Sequence, residues 1–207
     1  NKVQPVAHAS FDAWVKAYRP NENSGNTTIT YYSKGAAIAA VLDAMIIKKY
    51  NGEKCLDDFM QHVYKVYFEG KHRGFSEIEF KNELASFLQT NLDDFYDKYI
   101  NGTEIIDYNG AFSPLGLDVI YTGEAKPSVG ISLSGANGKT EISRMRYGSA
   151  AEDAGLSVGD EIIGCNGIRV DATSLDAYFN STKVGDVLTI LFARDEQLYS
   201  TDIVVTS

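Results

Sequence analysis

The sequence predicts an α+β protein of two domains: an all-α helical bundle, then a β-barrel or sandwich carrying two short helices. Three observations carry that prediction. Up to about residue 108 the apolar residues recur at helical spacing. Beyond it Gly, Ser and β-branched residues dominate, and short alternating runs replace the helical period. Between Gly148 and Gly167 small residues stand where turns and a helix end require them. A chain of 207 residues is long enough for two domains that each bury a core, and the boundary is placed at 1–110 and 111–207.

Taken in order, Ser10 is placed to cap a first helix with Phe11, Trp14, Val15 and Tyr18 at helical spacing, and Pro20 to stop it. Asn21–Asn26 is polar and loop-like, and Thr27–Tyr32 is β-branched and aromatic, hence expected to be extended. From Gly35 to Ile47 nearly every residue is apolar, with Asp43 as the one charge. A helix apolar all round is normally enclosed by protein. Lys48 and Lys49 suit its negative end, and Asn51-Gly52 ends it.

A third helix is expected over 56–68, with Leu56, Phe59, Met60, Val63, Tyr64 and Tyr67 on one side. Ser76-x-x-Glu79 reads as a capping box for a fourth, bearing Phe80, Leu84, Phe87 and Leu88. A fifth holds Leu92, Phe95, Tyr96 and Tyr99 and stops at Asn101-Gly102. Strands are expected at 115–121, 129–133, 140–145, 161–165, 187–193 and 198–205, with short helices at 150–154 and 174–180.

Composition narrows the function classes. A net charge of −9 argues against nucleic acid or anionic lipid as the main partner, since both attract basic surfaces. Cys55 and Cys165 lie far apart and form no C-x-x-C, so neither a disulfide framework nor a thiolate metal site is indicated. Asp43 interrupts the best apolar run well short of the roughly 20 residues a membrane span needs, so a soluble piece without a span is expected. The chain opens at Asn1 with no visible signal peptide and reads as an excised or processed piece of something longer.

The most specific run is Gly148-Ser149-Ala150-Ala151-Glu152-Asp153-Ala154-Gly155-Leu156-Ser157-Val158-Gly159-Asp160-Glu161-Ile162, closed by Asn166-Gly167. Gly155 suits the left-handed end of a one-turn helix, and Asn166-Gly167 is a strong two-residue hairpin signal. Together these residues resemble a bacterial-type PDZ domain over about 115–207, with Ala150 where proline is usual. The resemblance implies β-augmentation, in which an extended peptide or protein terminus adds a strand while loop amides hold its carboxylate. Ser128-Val129-Gly130-Ile131 matches that loop. The groove would run along Ile131, Ser132 and Leu133, facing a helix that carries Leu175, Tyr178 and Phe179; these apolar residues are equally open to being plain core.

Over roughly 10–112 the chain resembles the C-terminal part of the catalytic domain of thermolysin-like zinc aminopeptidases of the glycyl aminopeptidase family, whose members carry a PDZ domain afterwards. The residues that carry this are Tyr31-Tyr32-Ser33-Lys34-Gly35 with Leu42-Asp43, Leu56-Asp57-Asp58-Phe59, Leu92-Asp93-Asp94-Phe95-Tyr96 and Tyr99-Ile100-Asn101-Gly102-Thr103-Glu104. The resemblance implies that Tyr32 stabilises the oxyanion during peptide hydrolysis; its bland alternative is a tyrosine packing the helix entrance. Asp43 reads as a structural carboxylate or a group supporting the site. The zinc chemistry of that family needs H-E-x-x-H. His8, His62 and His72 include no pair four residues apart. No metal ligand and no cofactor is therefore assigned to this chain, zinc is expected in the full-length parent, and catalysis by the chain alone is not expected. The missing N-terminal part of the catalytic domain becomes an expected partner. A glycine preference is implied by the resemblance alone. The rival reading is a non-catalytic PDZ adaptor that binds peptide C-termini or extended segments. The PDZ type suggests a bacterial cytoplasmic or periplasmic setting.

Overall fold

The computed structural model describes residues 3–123 and 126–207 and divides into two compact units. One comprises Asn1–Arg19 with Thr28–Tyr121; the other comprises Pro20–Thr27 with Thr122–Ser207.

The first unit is helical. Helix α1 (Val6–Phe11) starts after Pro5 rather than at Ser10, which lies inside it. Phe11, Trp14 and Val15 are exposed rather than packed. The chain leaves α-helical geometry after Phe11, so residues 12–17 form turns in which Asp12 pairs with Lys16 at 2.6 Å. Helical spacing alone did not create a buried face there. Residues 28–30 carry no regular element, and helix α2 (Ser24–Thr27), which belongs to the second unit, replaces the start of the expected extended stretch. Helix α3 (Tyr31–Lys49) takes in both tyrosines in its first turn.

Helix α3 buries Ile38, Val41, Leu42, Ala44 and Ile46 but leaves Ala36 and Ala40 exposed. It is not enclosed all round. Alanine carries so little apolar surface that it sits in water at little cost, and a run of alanines hides a solvent face inside an apolar-looking stretch. Asn51 and Gly52 take left-handed conformations, and the Gly52 amide closes the helix on Ile47 O at 2.9 Å.

Helix α4 (Leu56–Val63) runs on as a wider π-helical stretch, Tyr64–Gly70. Of its expected face, Phe59, Val63 and Tyr67 are buried while Met60 and Tyr64 are exposed. The Asp43 carboxylate accepts from the Leu56 amide at 2.7 Å, filling one of the unpaired N–H groups at the start of α4. Helix α5 (Glu77–Leu88) carries the expected box: Ser76 Oγ accepts from the Glu79 amide, and Glu79 accepts from the Ser76 amide at 2.9 Å. Helix α6 (Asp93–Phe95) again widens into a π-helical turn, Tyr96–Ile100. Helix α7 (Tyr108–Phe112) and a 3-10 turn, Ser113–Leu115, follow where the sequence suggested the helices had ended. The strand expected at 115–121 does not form: Leu115 ends the 3-10 turn, and among the described residues no strand pairs with 116–121. The core gathers Ile38, Leu42, Ile46, Phe59, Leu84 and Leu92 with their neighbours.

In the second unit the described residues form one antiparallel sheet. Its strands are β1 (Ile131–Ser134), β2 (Glu141–Met145), β3 (Glu161–Cys165), β4 (Ile168–Arg169), β5 (Val187–Arg194) and β6 (Gln197–Val204). The order is β1-β2-β3-β5-β6, with β4 paired to β3 across the Asn166-Gly167 turn. Strand β4 is the one the sequence did not suggest. Ser128 and Thr206 exchange backbone hydrogen bonds, joining the flanks of β1 and β6 and curling the sheet toward closure. Helices α8 (Ala150–Asp153) and α9 (Ala172–Ser181) are close to expectation. Strand β5 shows the alternation that a one-sided sheet needs: Leu188, Ile190 and Phe192 turn inward while Val187 and Leu191 remain exposed.

Candidate functional site

Strand β1 lies at the end of the sheet order, so among the described residues one of its edges has no strand partner. Helix α9 packs beside it, and Ile131, Leu133 and Phe179 lean on the core between them. The groove drawn from sequence is thus an unpaired strand edge flanked by a helix. At its head Gly130 adopts φ +82°, and a Cβ there would meet the Ser149 Cβ at 2.2 Å. Ser149 is wholly buried and caps α8, its Oγ accepting from the Glu152 amide. Glycine is required at 130 twice over, by backbone conformation and by contact. The Gly130 amide donates to Ser128 Oγ at 3.0 Å. A hydroxyl on a short rotor thereby occupies an amide that a peptide carboxylate oxygen could take.

The predicted groove residues divide by environment. Val129 and Leu175 are buried in the core. Ile131 and Leu133 are half-buried, and Ser132 is exposed with its carbonyl accepting from Ser143 Oγ. Tyr178 is exposed, and its hydroxyl accepts from Asn166 Nδ2 at 3.0 Å. Asn166 also accepts from the Thr189 amide at 2.7 Å, so the hairpin residue ties α9 to β5. From sequence it registered as a turn former and nothing else.

The base of the unit is set by one ion pair. Asp160, 2% exposed, receives Arg194 Nε and Nη2 at 2.7 Å each, and accepts from the Ser157 amide. Arg194 also reaches Gly155 O. The hydrogen bonds to Asp160 push the Arg194 pKa further up. This fork holds the 155–160 turn against the end of β5. Burial raises the Cys165 thiol, which removes it from reactive chemistry.

In the helical unit, Tyr32 stands in the first turn of α3 and is 65% exposed. Its hydroxyl lies 2.9 Å from that of Tyr18, which lies 3.1 Å from that of Tyr31. Tyr31 and Tyr32 stack at 4.3 Å, and Trp14 stacks on Tyr18 at 5.0 Å. Hydrogen bonds from Tyr18 and then Tyr31 hold the Tyr32 pKa below the usual phenol value, while Tyr31 is pushed up by the same network. A phenol with a lowered pKa is the better donor to developing negative charge. Lys34 lies over Gly102 O at 3.5 Å, and burial lowers its pKa. It borders a cleft of about 440 Å³ with Thr30, Ser33, Ala37, Ile105 and Tyr108. The sequence places Tyr18 among the apolar positions of the first helix; its hydroxyl role has no local signal.

Among the described residues no three His, Cys, Asp or Glu side chains converge to hold a metal ion. His62 bonds Glu83 at 3.0 Å between Phe59 and Phe87, a side-chain pair within the helical packing. These residues do not fit a zinc centre. No helix among the described residues is long and apolar enough to cross a membrane.

Residues 1–38 match the M61 glycyl aminopeptidase family, and residues 119–190 match the PDZ domain. The fold matches the crystal structure of an aminopeptidase N family protein from Idiomarina loihiensis, with TM-score 0.82 and 23% identity, over 99% of this chain and 37% of that one. Two partial matches each cover 39% of this chain and 29% of the other: a serine endoprotease from Yersinia pestis (21% identity, TM-score 0.35) and the HtrA-type protease AlgW with decapeptide (16%, 0.35). No curated protein matches the chain. The chain spans little more than a third of the length of the Idiomarina protein. In one chain, a match to the M61 family over 1–38 thus precedes a match to the PDZ domain over 119–190, and of the residues that carry the resemblance over 10–112 the first match takes in Tyr31-Tyr32-Ser33-Lys34-Gly35.

Proposed function

We propose that this chain is the C-terminal part of a zinc-dependent aminopeptidase that hydrolyses N-terminal peptide bonds, joined to a PDZ module that binds peptides. The observation that carries the reading is Tyr32: it lies inside the M61 match, exposed, with its hydroxyl hydrogen-bonded to a second phenol. Tyr32 donates its proton in a hydrogen bond to the oxyanion that forms when the scissile carbonyl is attacked. Tyr18 and Tyr31 orient it and strengthen it as a donor. The described residues do not fit zinc, so the metal ligands of such an enzyme are assigned to the missing N-terminal part of its catalytic domain. The isolated chain is accordingly expected to be inactive, and a preference for glycine remains part of the proposal.

In the full-length parent, Tyr32→Phe is expected to lower turnover of aminoacyl anilides by about 10²–10³ while zinc content stays the same. Unchanged turnover would remove the oxyanion role.

A second reading, a non-catalytic adaptor, is favoured by the second unit: an unpaired β1 edge and the Gly130 loop lie together within it. Both readings share peptide capture along Val129–Leu133 under α9. Labelled peptides with free and amidated C-termini test it; the free acid should bind at least about tenfold more tightly. Equal affinities count against the carboxylate loop. Turnover by the parent then separates enzyme from adaptor.

A further inference from the structure

The segment Pro20–Thr27 is distant in sequence from the β strands, yet it belongs to their unit. Its anchor is Asn26. The side-chain amide donates to Met145 O at 2.7 Å and accepts from the Tyr147 amide at 2.9 Å. A carboxamide that takes the C=O of one residue and the N–H two residues on copies the pairing of a neighbouring strand. It does so beyond the Glu141↔Glu161 pair and the hydrogen bonds of Ile142 with Gly159 and Asp160, which join β2 to the chain before β3. The segment holds its own shape: the Asn21 amide donates to Ser24 Oγ at 2.8 Å, the Asn23 amide to Asn21 Oδ1 at 3.0 Å, and Asn26 Nδ2 to Asn23 Oδ1 at 2.9 Å.

The other end of the segment borders a pocket. Pro20, Asn21 and Glu22 face Ser132, Ser134 and Arg144 around a space of about 540 Å³. Ser132 and Arg144 are direct cross-strand partners, so their side chains share one face of the sheet. By the two-residue alternation of a strand, that is the face opposite the one on which Ile131 and Leu133 lean on the core.

We infer that Pro20–Glu22 forms an outer wall of the peptide groove, and that Glu22 and Arg144 select the penultimate side chain of a bound peptide by its charge. The inference rests on the peptide-groove reading above. A peptide paired along β1 with its carboxylate at Gly130 alternates its side chains. The terminal one turns toward α9, and the one before it turns outward beside Ser132. What it meets there is mostly polar, hydroxyl, amide, guanidinium and carboxylate, with Pro20 and Leu133 as the apolar members of the lining. Neither Glu22 nor Arg144 makes an ion pair among the described residues, so both charges are open to a ligand. The ligand class is an extended peptide with a free C-terminus whose penultimate residue is charged or long and polar rather than apolar.

The test uses the 207-residue chain and peptides identical except for Lys, Glu, Gln or Leu at the penultimate position, read by fluorescence anisotropy. In the unaltered protein the leucine peptide should bind weakest. Glu22→Lys should shift the Lys-to-Glu affinity ratio toward Glu by about three- to tenfold, and Arg144→Glu should shift it toward Lys by a similar factor. Asn26→Ala, which frees the segment, should halve the effect of Glu22→Lys or more, and should speed hydrogen exchange at the Tyr147 amide. Peptides that bind with a ratio unmoved within about twofold by Glu22→Lys overturn this inference and leave the groove standing. Slow Tyr147 exchange in Asn26→Ala overturns the clamp. Failure of every peptide to bind overturns the groove reading and this inference together.

Discussion

The two candidate sites are built on opposite plans. In the β unit the site is backbone: a left-handed glycine wedged on a buried serine, an unpaired strand edge, and an Asp160–Arg194 fork fixing the turn beneath. In the helical unit it is side chain: three phenols joined through their hydroxyls, with Trp14, Tyr18 and Tyr32 exposed. A backbone site is complete when its own unit folds, because packing sets it. A cluster of rings that stays exposed is not enclosed by the described residues of its own unit. On the proposed reading, peptide capture therefore needs only what the β unit contains, whereas transition-state stabilisation needs a surrounding that excludes water.

That contrast can be broken by experiment, and the largest effect is expected at Asp160. Asp160→Ala removes the acceptor of Arg194 and of the Ser157 amide together. Arg194 can still reach water at its outer edge, so the loss should sit at the lower end for a broken buried pair, about 3 kcal/mol. Denaturant unfolding followed at the β-strand amides checks it; a loss under about 1 kcal/mol would mean that the turn holds without the pair.

Gly130→Ala comes next. Strain at φ +82° and the collision with Ser149 should cost about 2 kcal/mol and weaken free-acid peptides by at least about tenfold. Unchanged peptide affinity in a folded variant would separate loop geometry from binding.

In the helical unit the expected change is in titration rather than in stability. Tyr18→Phe removes the principal hydrogen-bond partner of Tyr32, whose pKa, held below the usual phenol value, should return upward. Phenolate absorbance against pH should show one phenol moving to a higher midpoint. If none moves, the hydroxyl network is not tuning Tyr32.

The smallest effect concerns the start of α5. Arg73, with Ser76 behind it, holds the Glu79 carboxyl down to about 2 from an ordinary 4.5. A depressed acid contributes fully above its unfolded pKa and loses its contribution as pH falls through the folded one. The capping box should therefore survive at about pH 4 and fray only near pH 2. Arg73→Ala should bring the Glu79 midpoint, read by carboxyl NMR shifts, back toward 4.5. A midpoint already near 4.5 in the unaltered protein would show the clamp to be open in solution.

Much of the fold was legible because local chemistry and tertiary outcome agreed. The Ser76–Glu79 box, the Gly155 and Asn166-Gly167 turns and the alternation of β5 each follow from a rule that spans a few residues. The misreadings share a cause. Phe11–Tyr18 has helical spacing, yet spacing says only which residues share a face. Whether a shared face is covered depends on what lies opposite, and among the described residues Phe11, Trp14 and Val15 stay exposed. Residues 116–121 have strand composition, but a strand exists only when an edge accepts it, and none does among the described residues.

The candidate sites divide the same way. Gly130 and Tyr32 could be named from sequence because each sits in a short contiguous motif. Tyr18, Asn26 and Arg194 could not, because each acts on a partner distant in the chain.

By itself, then, the sequence determined the helical-then-β order, most helix and strand positions, the turns, and the residue types at the head of the groove. Those are short-range matters, settled by backbone conformation and hydrophobic period within a few residues. Only the tertiary structure decided that α3 keeps an exposed alanine face, that Leu175 belongs to the core while Tyr178 is exposed, and that Asn26 closes an edge of β2. Burial and long-range hydrogen bonding are properties of pairs of surfaces, and a linear pattern specifies one surface at a time.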